Sequence, residues 1–439
     1  MKFVKSVHSV AAGSLLISAG LPKDLNINDP NSIKSVAKTV AAGAMSYYKG
    51  DATKFVDLDA PYYWWQCGAF MGSMLDYSHY TGDTSYDPVI ATALLAQRGP
   101  DNDYMLPTHF GQEGNDDQAM WGFSIMAAAE RNFPQPDSSA PSYLDLTANL
   151  WNSLVSRWNT TACNGGLLWQ IFASNPNGLD YKNTVSNGGL FQISARLARA
   201  TGNQTYSQWA EKVWDWTEAV GLIDHQYMVK DGASSSKNCT DINPLSFSYT
   251  AGIYMYGAAV MADITGDPKW TTRVERLLET TAAYYFHPFE NATNIMYEAA
   301  CEHVGRCNTD MRSFKGYLSR FLYSSAVLVP SIVPTVNEIL GASAAAAAQA
   351  CTGGPDGTTC GQKWYVGGFD GQTGLGEEMC ALETIQGLLA SQATPPLKGD
   401  QIKVVREFRS TPASPAAPAA KSSSAAVASR RGARRARGL

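Results

Sequence analysis

The chain has 439 residues, 45% of them hydrophobic, and a formal net charge of −5, which provides for one large core or two modest ones. The charge is unevenly spread: residues from 393 onward carry a balance of +8 and residues 1–392 carry −13. An acidic body of this kind excludes nucleic acid as the principal partner.

Residues 1–20, MKFVKSVHSVAAGSLLISAG, set Lys2 and Lys5 before a short apolar run that ends in small residues. That is the layout of a secretory signal peptide, and the run is too short to span a bilayer. Two further features agree with export. The eight cysteines form no CxxC pair, and glycosylation sequons stand at Asn159, Asn203, Asn238 and Asn291. Together they point to an oxidising, extracellular destination.

Residues 21–392 are predicted to form one domain built from helices. DQAMWGFSIMAAAERNF, TVSNGGLFQISARLARATG, YSQWAEKVWDWTEAVGLI, SYTAGIYMYGAAVMADITG and KWTTRVERLLETTAAYYF are apolar-periodic at helical spacing. A punctuation mark recurs at Thr81-Gly82-Asp83, Thr201-Gly202-Asn203 and Thr265-Gly266-Asp267, each followed by an aromatic residue (Tyr86, Tyr206, Trp270). A glycine C-cap with a short polar turn hands one helix to an antiparallel neighbour. Such hairpins, repeated, predict a ring of paired helices. Between them lie stretches read as Gly- and aromatic-rich loops: APYYWWQCGAF, CNGGLLWQIF, SNGGLF and CGQKWYVGGFDGQTGLG. Aromatic rings beside amides suit sugars, which present an apolar C–H face and a polar rim. Residues 393–439, Pro/Ala/Ser-rich with five arginines near the end, are predicted to be a disordered tail. The tail lacks the hydrophobic stretch of a glycolipid-anchor signal.

At EGNDDQAMWGF the adjacent Asp116 and Asp117 allow two readings. They cap a helix start, where free N–H groups and the helix dipole favour carboxylates; or they flank a reacting bond. Other chemistries drop out. The six histidines form no HxH or HExxH pattern, and no GxSxG elbow, P-loop or GxGxxG is present. A DDxxD metal site would need an acid where Met120 stands. Carboxylate chemistry remains, and neighbouring residues can supply the short separation that retaining glycosidases use.

NDDQAMWGFSIMAAAE resembles the Asp-Asp-Gln motif of glycoside hydrolase family 76, the endo-α-1,6-mannanases. The likeness runs in order through YYWWQCGAFMGSMLDY, CNGGLLWQI, YKNTVSNGGLFQISARLAR, SYTAGIYMYGAAV, CNTDMRSFKGYLSRF and KWYVGGFDGQTGLGEEMCALE, covering about residues 28–392. The resemblance implies an all-α (α/α)6 toroid and a retaining endo-mannosidase in which Asp116 is the nucleophile and Asp117 the general acid/base. The alternatives are a transglycosidase that passes the glycosyl group to another wall glycan, and a non-catalytic mannan-binding wall protein.

The matched motifs and aromatic stretches supply candidate substrate contacts at Tyr63, Trp64, Trp65, Gln66, Gln118, Trp121, Trp169, Lys182, Asn183, Asn187, Asp231, Tyr249, Trp364 and Asp370. No cofactor or metal is expected, and the partner is an α-1,6-mannan or mannoprotein glycan bound by a secreted or wall-associated monomer. Met120, where the family usually has an aromatic, and Thr250, where an amide is usual, depart from the pattern. The expected disulfides are Cys301–Cys307, Cys351–Cys360, Cys163–Cys239 and, linking the first helix of the ring to the last, Cys67–Cys380.

Overall fold

The computed structural model describes residues 20–408, apart from residue 176. The expected signal peptide, except for its last residue, and the expected tail beyond residue 408 lie outside the described residues.

Twelve α-helices are present among them: α1 (Pro30–Met45), α2 (Trp64–Thr81), α3 (Asp87–Ala96), α4 (Asn115–Glu130), α5 (Tyr143–Ser156), α6 (Thr184–Thr201), α7 (Gln204–Ala219), α8 (Ser248–Thr265), α9 (Pro268–Tyr285), α10 (Phe314–Leu328), α11 (Val333–Ala350) and α12 (Leu375–Gln386). The even-numbered helices pack each on the next, and α12 packs on α2, closing an inner ring. Each is followed by an outer helix that lies against it, and α1 completes the last pair by packing on α12. The protein is an (α/α)6 toroid. No helix among the described residues is long and apolar enough to cross a membrane.

Sequence pattern sorts the two layers. Outer helix α1 buries one stripe, Ile33, Val36, Ala37, Val40, Ala41 and Ala44, at the spacing of a single helical face. Inner helices α4 and α6 are buried nearly all round, so small residues must appear where they touch. A Cβ on Gly189 of α6 would lie 2.4 Å from the Cβ of Ala119 on α4, and one on Gly68 of α2 would lie 2.5 Å from the Trp121 ring. The Thr-Gly marks do what the sequence suggests. Gly82, Gly202 and Gly266 end α2, α6 and α8 with φ of 78°, 72° and 64°, the left-handed region in which glycine costs least. Asn203 and Asp267 then accept backbone N–H groups at the starts of α7 and α9.

Two stretches read as loops are helical: WWQCGAF opens α2 and SNGGLF lies inside α6. Their glycines serve close packing between helices, not turning of the chain. Residues 393–408 also differ from the expected tail, because they are strapped across the body. Leu397 N–H donates to Glu130 O at 2.8 Å, Gln135 N–H to Val405 O at 2.7 Å, and Lys403 N–H to Asn132 Oδ1 at 2.6 Å. Beneath the strap, at the C-terminal ends of the inner helices, buried charges tie the ring together. Arg320 of α10 meets Asp76 of α2 at 2.9 Å and Glu383 of α12 at 2.6 Å, while Arg196 of α6 meets Glu130 of α4 at 2.7 Å.

A small antiparallel sheet, β1 (Tyr181–Asn183), β2 (Gly232–Ser234) and β3 (Ile242–Asn243), sits before α6 and α8. The Cys163–Cys239 disulfide pins the loops beside it, and Cys301–Cys307 and Cys351–Cys360 close local loops. Cys67 and Cys380 are not bridged. Their helices are neighbours, as ring closure requires, but the side chains look in different directions. Cys380 Sγ accepts from Gly316 N at 3.2 Å and donates to Arg312 O at 3.2 Å, toward α10. Cys67 is wholly buried near Tyr48 and Asp57, on the side of the preceding segment. Burial pushes both thiols up, Cys380 to about 12, so neither forms a thiolate readily. Unfolding without reductant at acidic pH, followed by alkylation and peptide mapping, should label Cys67 and Cys380 and no other cysteine. Native protein should take up no label at either position. An unfolded chain without free thiols would contradict this pairing.

Candidate active site

Because each outer helix returns the chain antiparallel, the six inner helices run the same way and begin at one mouth. There, a cleft of about 530 Å³ opens between the starts of α2, α4, α6, α8 and α10. Tyr63 caps α2 and Trp65 lies in its first turn; Asp116, Asp117 and Met120 come from α4; Asn183 caps α6 and Val185 lies in its first turn; Tyr249 comes from α8; Phe314 opens α10, and Asp310 lies in the segment just before it. Helix N-termini carry unpaired N–H groups and a partial positive charge, so the mouth favours carboxylates.

The start of α4 is held firmly. Asn115 N–H donates to Trp169 O at 2.9 Å, Asn115 Nδ2 donates to Leu168 O at 2.8 Å, and Gly114 bridges to Gln170. The capping reading of the aspartate pair is realised. Asp117 reaches back to accept Gly114 N–H at 2.6 Å, as a residue in the first helical turn does. Asp116 accepts Asp117 N–H at 3.0 Å on one oxygen and Asn183 Nδ2 at 2.9 Å on the other. Both carboxyl groups line the cleft.

Their environments differ. Burial raises Asp116 to about 7, against the pull of the Asn183 and backbone N–H bonds. Asp117 is raised well above the usual carboxylate range, first by burial and then by the charge of Asp116 beside it. Asp310, raised to about 6 by burial against a hydrogen bond from Trp65, lifts both members of the pair further. The pair therefore retains a proton near neutrality, and Asp117 is the better place for it.

Aromatic walls complete the cleft. Tyr249 stacks on Phe314 with ring centroids 3.8 Å apart and planes 12° from parallel. Tyr63 is half exposed, and Trp65, Trp169 and Tyr181 line the sides. Asp231, also in the lining, accepts Tyr181 OH at 2.6 Å and Asn243 Nδ2 at 3.0 Å.

Of the candidate residues, Asp116, Asp117, Tyr63, Trp65, Trp169, Asn183, Asp231 and Tyr249 meet in the cleft. The other eight are framework. Trp64 donates to Gln97 at 2.7 Å and packs on Trp121, which is fully buried. Gln66 accepts Tyr63 N–H at 2.9 Å, and Gln118 donates to Asp103 O at 2.7 Å. Asn187 holds both the N–H and the carbonyl of Leu167. Lys182, lowered to about 8 by burial, donates to the carbonyls of Asn159, Ala162 and Gly165 and so fixes the CNGG turn. Trp364 is buried under Lys315 Nζ at 4.0 Å, and Asp370 accepts the N–H groups of Gln362, Lys363 and Gln372. Residues the sequence reading passed over include Gln112, Gln170, Asn175, Tyr181, Phe314 and, above all, Asp310. Asp310 stands in the CNTDMRSF motif, but nothing in that spacing shows that it faces Asp116 across the ring.

A ring of paired helices whose partly buried aspartate pair lies in an aromatic-walled cleft is the architecture of a carbohydrate-cleaving enzyme. Residues 32–400 match the model of glycosyl hydrolase family 76, and the chain belongs to that family. It is 46% identical over 378 residues to mannan endo-1,6-alpha-mannosidase DCW1 of Candida glabrata, covering 85% of this chain and 83% of that protein. The crystal structure of Dfg5 from Chaetomium thermophilum in complex with glucosamine superposes with a TM-score of 0.81 at 40% identity, over 85% of this chain and 94% of that one. An inactive variant of the α-1,6-mannanase of Salegentibacter sp., with two aspartates changed to asparagine and α-1,6-mannotriose bound, gives a TM-score of 0.65 at 16% identity, over 81% and 99%. This last likeness is one of fold alone.

Gly114 lies between the two carboxyl groups. A Cβ there would stand 2.5 Å from Asp116 Oδ1, 2.9 Å from Trp169 O and 3.1 Å from Asp117 Oδ2. Its φ of −106° suits any residue, so the need for glycine is one of space. Gly114→Ala should displace both aspartates and lower kcat/KM by about 100-fold or more, the cost of misplacing catalytic groups by about an ångström. The Tm should fall as well, because the added Cβ meets the backbone carbonyl of Trp169, which can yield only if the chain moves. Wild-type kinetics in the variant would contradict the geometry.

Proposed function

We propose that the protein is a secreted, retaining enzyme that cuts within α-1,6-linked mannan or mannoprotein glycans. The observation that carries this reading is the partly buried pair at the start of α4, in which Asp116 has two hydrogen-bond donors and Asp117 is raised by desolvation and then by its neighbour. The names of the curated relatives support the linkage, and the signal-like first residues and three disulfides support export.

In this reading the mannose ring lies against Tyr249 on its Phe314 support. Asp116, ionised, attacks the anomeric carbon while Asp117 gives its proton to the departing glycosidic oxygen. The C–O bond to the leaving sugar breaks as the ester bond to Asp116 forms. Asp117, now a carboxylate, takes a proton from the incoming hydroxyl, which attacks the same carbon and frees Asp116. The charge of Asp116 favours the proton on Asp117 before the first step. Its loss on forming the ester lowers the Asp117 pKa, which suits the second step.

Hydrolysis and transfer to another wall glycan share this intermediate and differ in whether water or a sugar hydroxyl arrives. Incubation with unbranched α-1,6-mannan in ¹⁸O water should give short fragments with one labelled reducing-end oxygen. Lengthened, unlabelled chains would replace hydrolysis by transfer, and unchanged mannan would favour a binding protein. In the same assay Asp116→Ala and Asp117→Ala should each lower fragment release by about 1,000-fold or more, as removal of a nucleophile or a general acid does.

A further inference from the structure

Outside the cleft, one surface is not explained by the chemistry. Tyr284, Phe289, Val304 and Val366 are 40%, 52%, 63% and 52% exposed, on the segment around the end of α9 and on the loops before α10 and α12. Within this patch the rings are ordered against one another. The exposed His303 is sandwiched between Phe289 and Tyr297, with centroids 4.8 Å from each and planes within 22° and 18° of parallel. Tyr365 meets Phe289, Tyr297 and His303 edge-on. The Cys301–Cys307 disulfide closes the loop that carries His303, so the stack has a rigid base. Phe289 ends the stack, backed by His303 and still half exposed to water.

Phe289 also begins a tight turn. Ala292 N–H donates to Phe289 O at 3.0 Å, which places Phe289 first and Asn291 third in the four-residue reversal. Asn291 is exposed and heads the sequon Asn291-Ala292-Thr293, with Phe289 two residues before it. The ends of such a turn, here Phe289 and Ala292, lie within about 7 Å, so the ring at its first position and a sugar joined at its third leave the same short reversal. The other three sequons lack this arrangement. Asn203 caps α7, Asn159 accepts from Thr161, and Asn238 accepts Cys163 N–H at 2.6 Å; none of the three has an aromatic residue two positions before it.

We infer that Asn291 carries an N-linked glycan whose first N-acetylglucosamine stacks on Phe289 and covers this patch. The apolar C–H face of the sugar meets the open face of the ring, in the way sugars meet aromatic side chains generally. The modification forms a bond from Asn291 Nδ2 to the anomeric carbon of a glycan carried on a lipid diphosphate, the bond from that carbon to the diphosphate oxygen breaks, and the diphosphate leaves as the amide gives up one proton. The patch is thereby occupied by the chain's own glycan. The inference rests on the reading that the protein is exported.

The test is expression of the full chain in a yeast that glycosylates secreted proteins, followed by trimming to single N-acetylglucosamine residues. Peptide mapping should find Asn291 occupied, and the ring protons of that sugar should shift upfield by a few tenths of a ppm relative to the sugars at the other sites. Removing the sugar with Thr293→Ala should lower the Tm by about 1–2 °C. In a Phe289→Ala background the upfield shift should vanish and Thr293→Ala should leave Tm unchanged. Occupancy at Asn159, Asn203 or Asn238 with Asn291 bare would overturn the inference, as would an equal Tm loss in both backgrounds. All four sites bare would overturn it together with the reading of export.

Discussion

The aspartate pair at the mouth of the ring is held between two opposed effects. Six inner helices begin at the same mouth, and each N-terminus brings unpaired N–H groups and about half a positive charge. Those donors favour ionised carboxylates, while burial in a narrow cleft favours protonated ones. Asp116 sits where two donors reach it, from Asn183 and from the backbone of Asp117. Asp117 has one, from Gly114, and bears the charge of Asp116 beside it. Adjacent residues in one helical turn thus acquire different acidities without any difference in residue type. Repulsion between them, a cost at an ordinary helix start, here separates their acidities.

The rest of the toroid keeps that opposition in place. Close helix approach at Gly189 and Gly68 brings α4 against α6 and α2, and this sets the distance at which Asn183 can meet Asp116. Lys182 and the Cys163–Cys239 disulfide hold the turn that leads to Trp169, whose carbonyl fixes the start of α4. At the other end, Arg320, Asp76 and Glu383 join α10, α2 and α12, and Arg196 and Glu130 join α6 and α4. Buried ion pairs add little net stability over apolar packing, but breaking one strands a charge, so they specify which helices are neighbours.

Much of this was legible in the sequence. The Thr-Gly marks reveal the hairpins because a left-handed C-cap demands glycine, and the aspartate pair is conspicuous because like charges are adjacent. What was not legible is direction. Trp64 and Trp65 are neighbours in sequence, yet the first packs in the core and the second lines the cleft, because successive helical side chains diverge by about 100°. Cys67 and Cys380 lie on adjacent helices and still look apart for the same reason. Asp310 joins the site only through ring closure, and Asp370 resembles a ligand residue but spends both oxygens on its own loop. The residues from 393 to 408 have the composition of a tail, but their backbone N–H and C=O groups pair with those of the body.

The most direct test of the assignment of roles is to trap the glycosyl-enzyme. An activated mannosyl donor with a ring fluorine, which slows breakdown of the ester more than its formation, should inactivate the enzyme stoichiometrically. Proteolysis and mass spectrometry should then find the sugar on Asp116, with none on Asp117 or Asp310. A sugar on either of those aspartates, or turnover of the donor without any covalent adduct, would contradict the account.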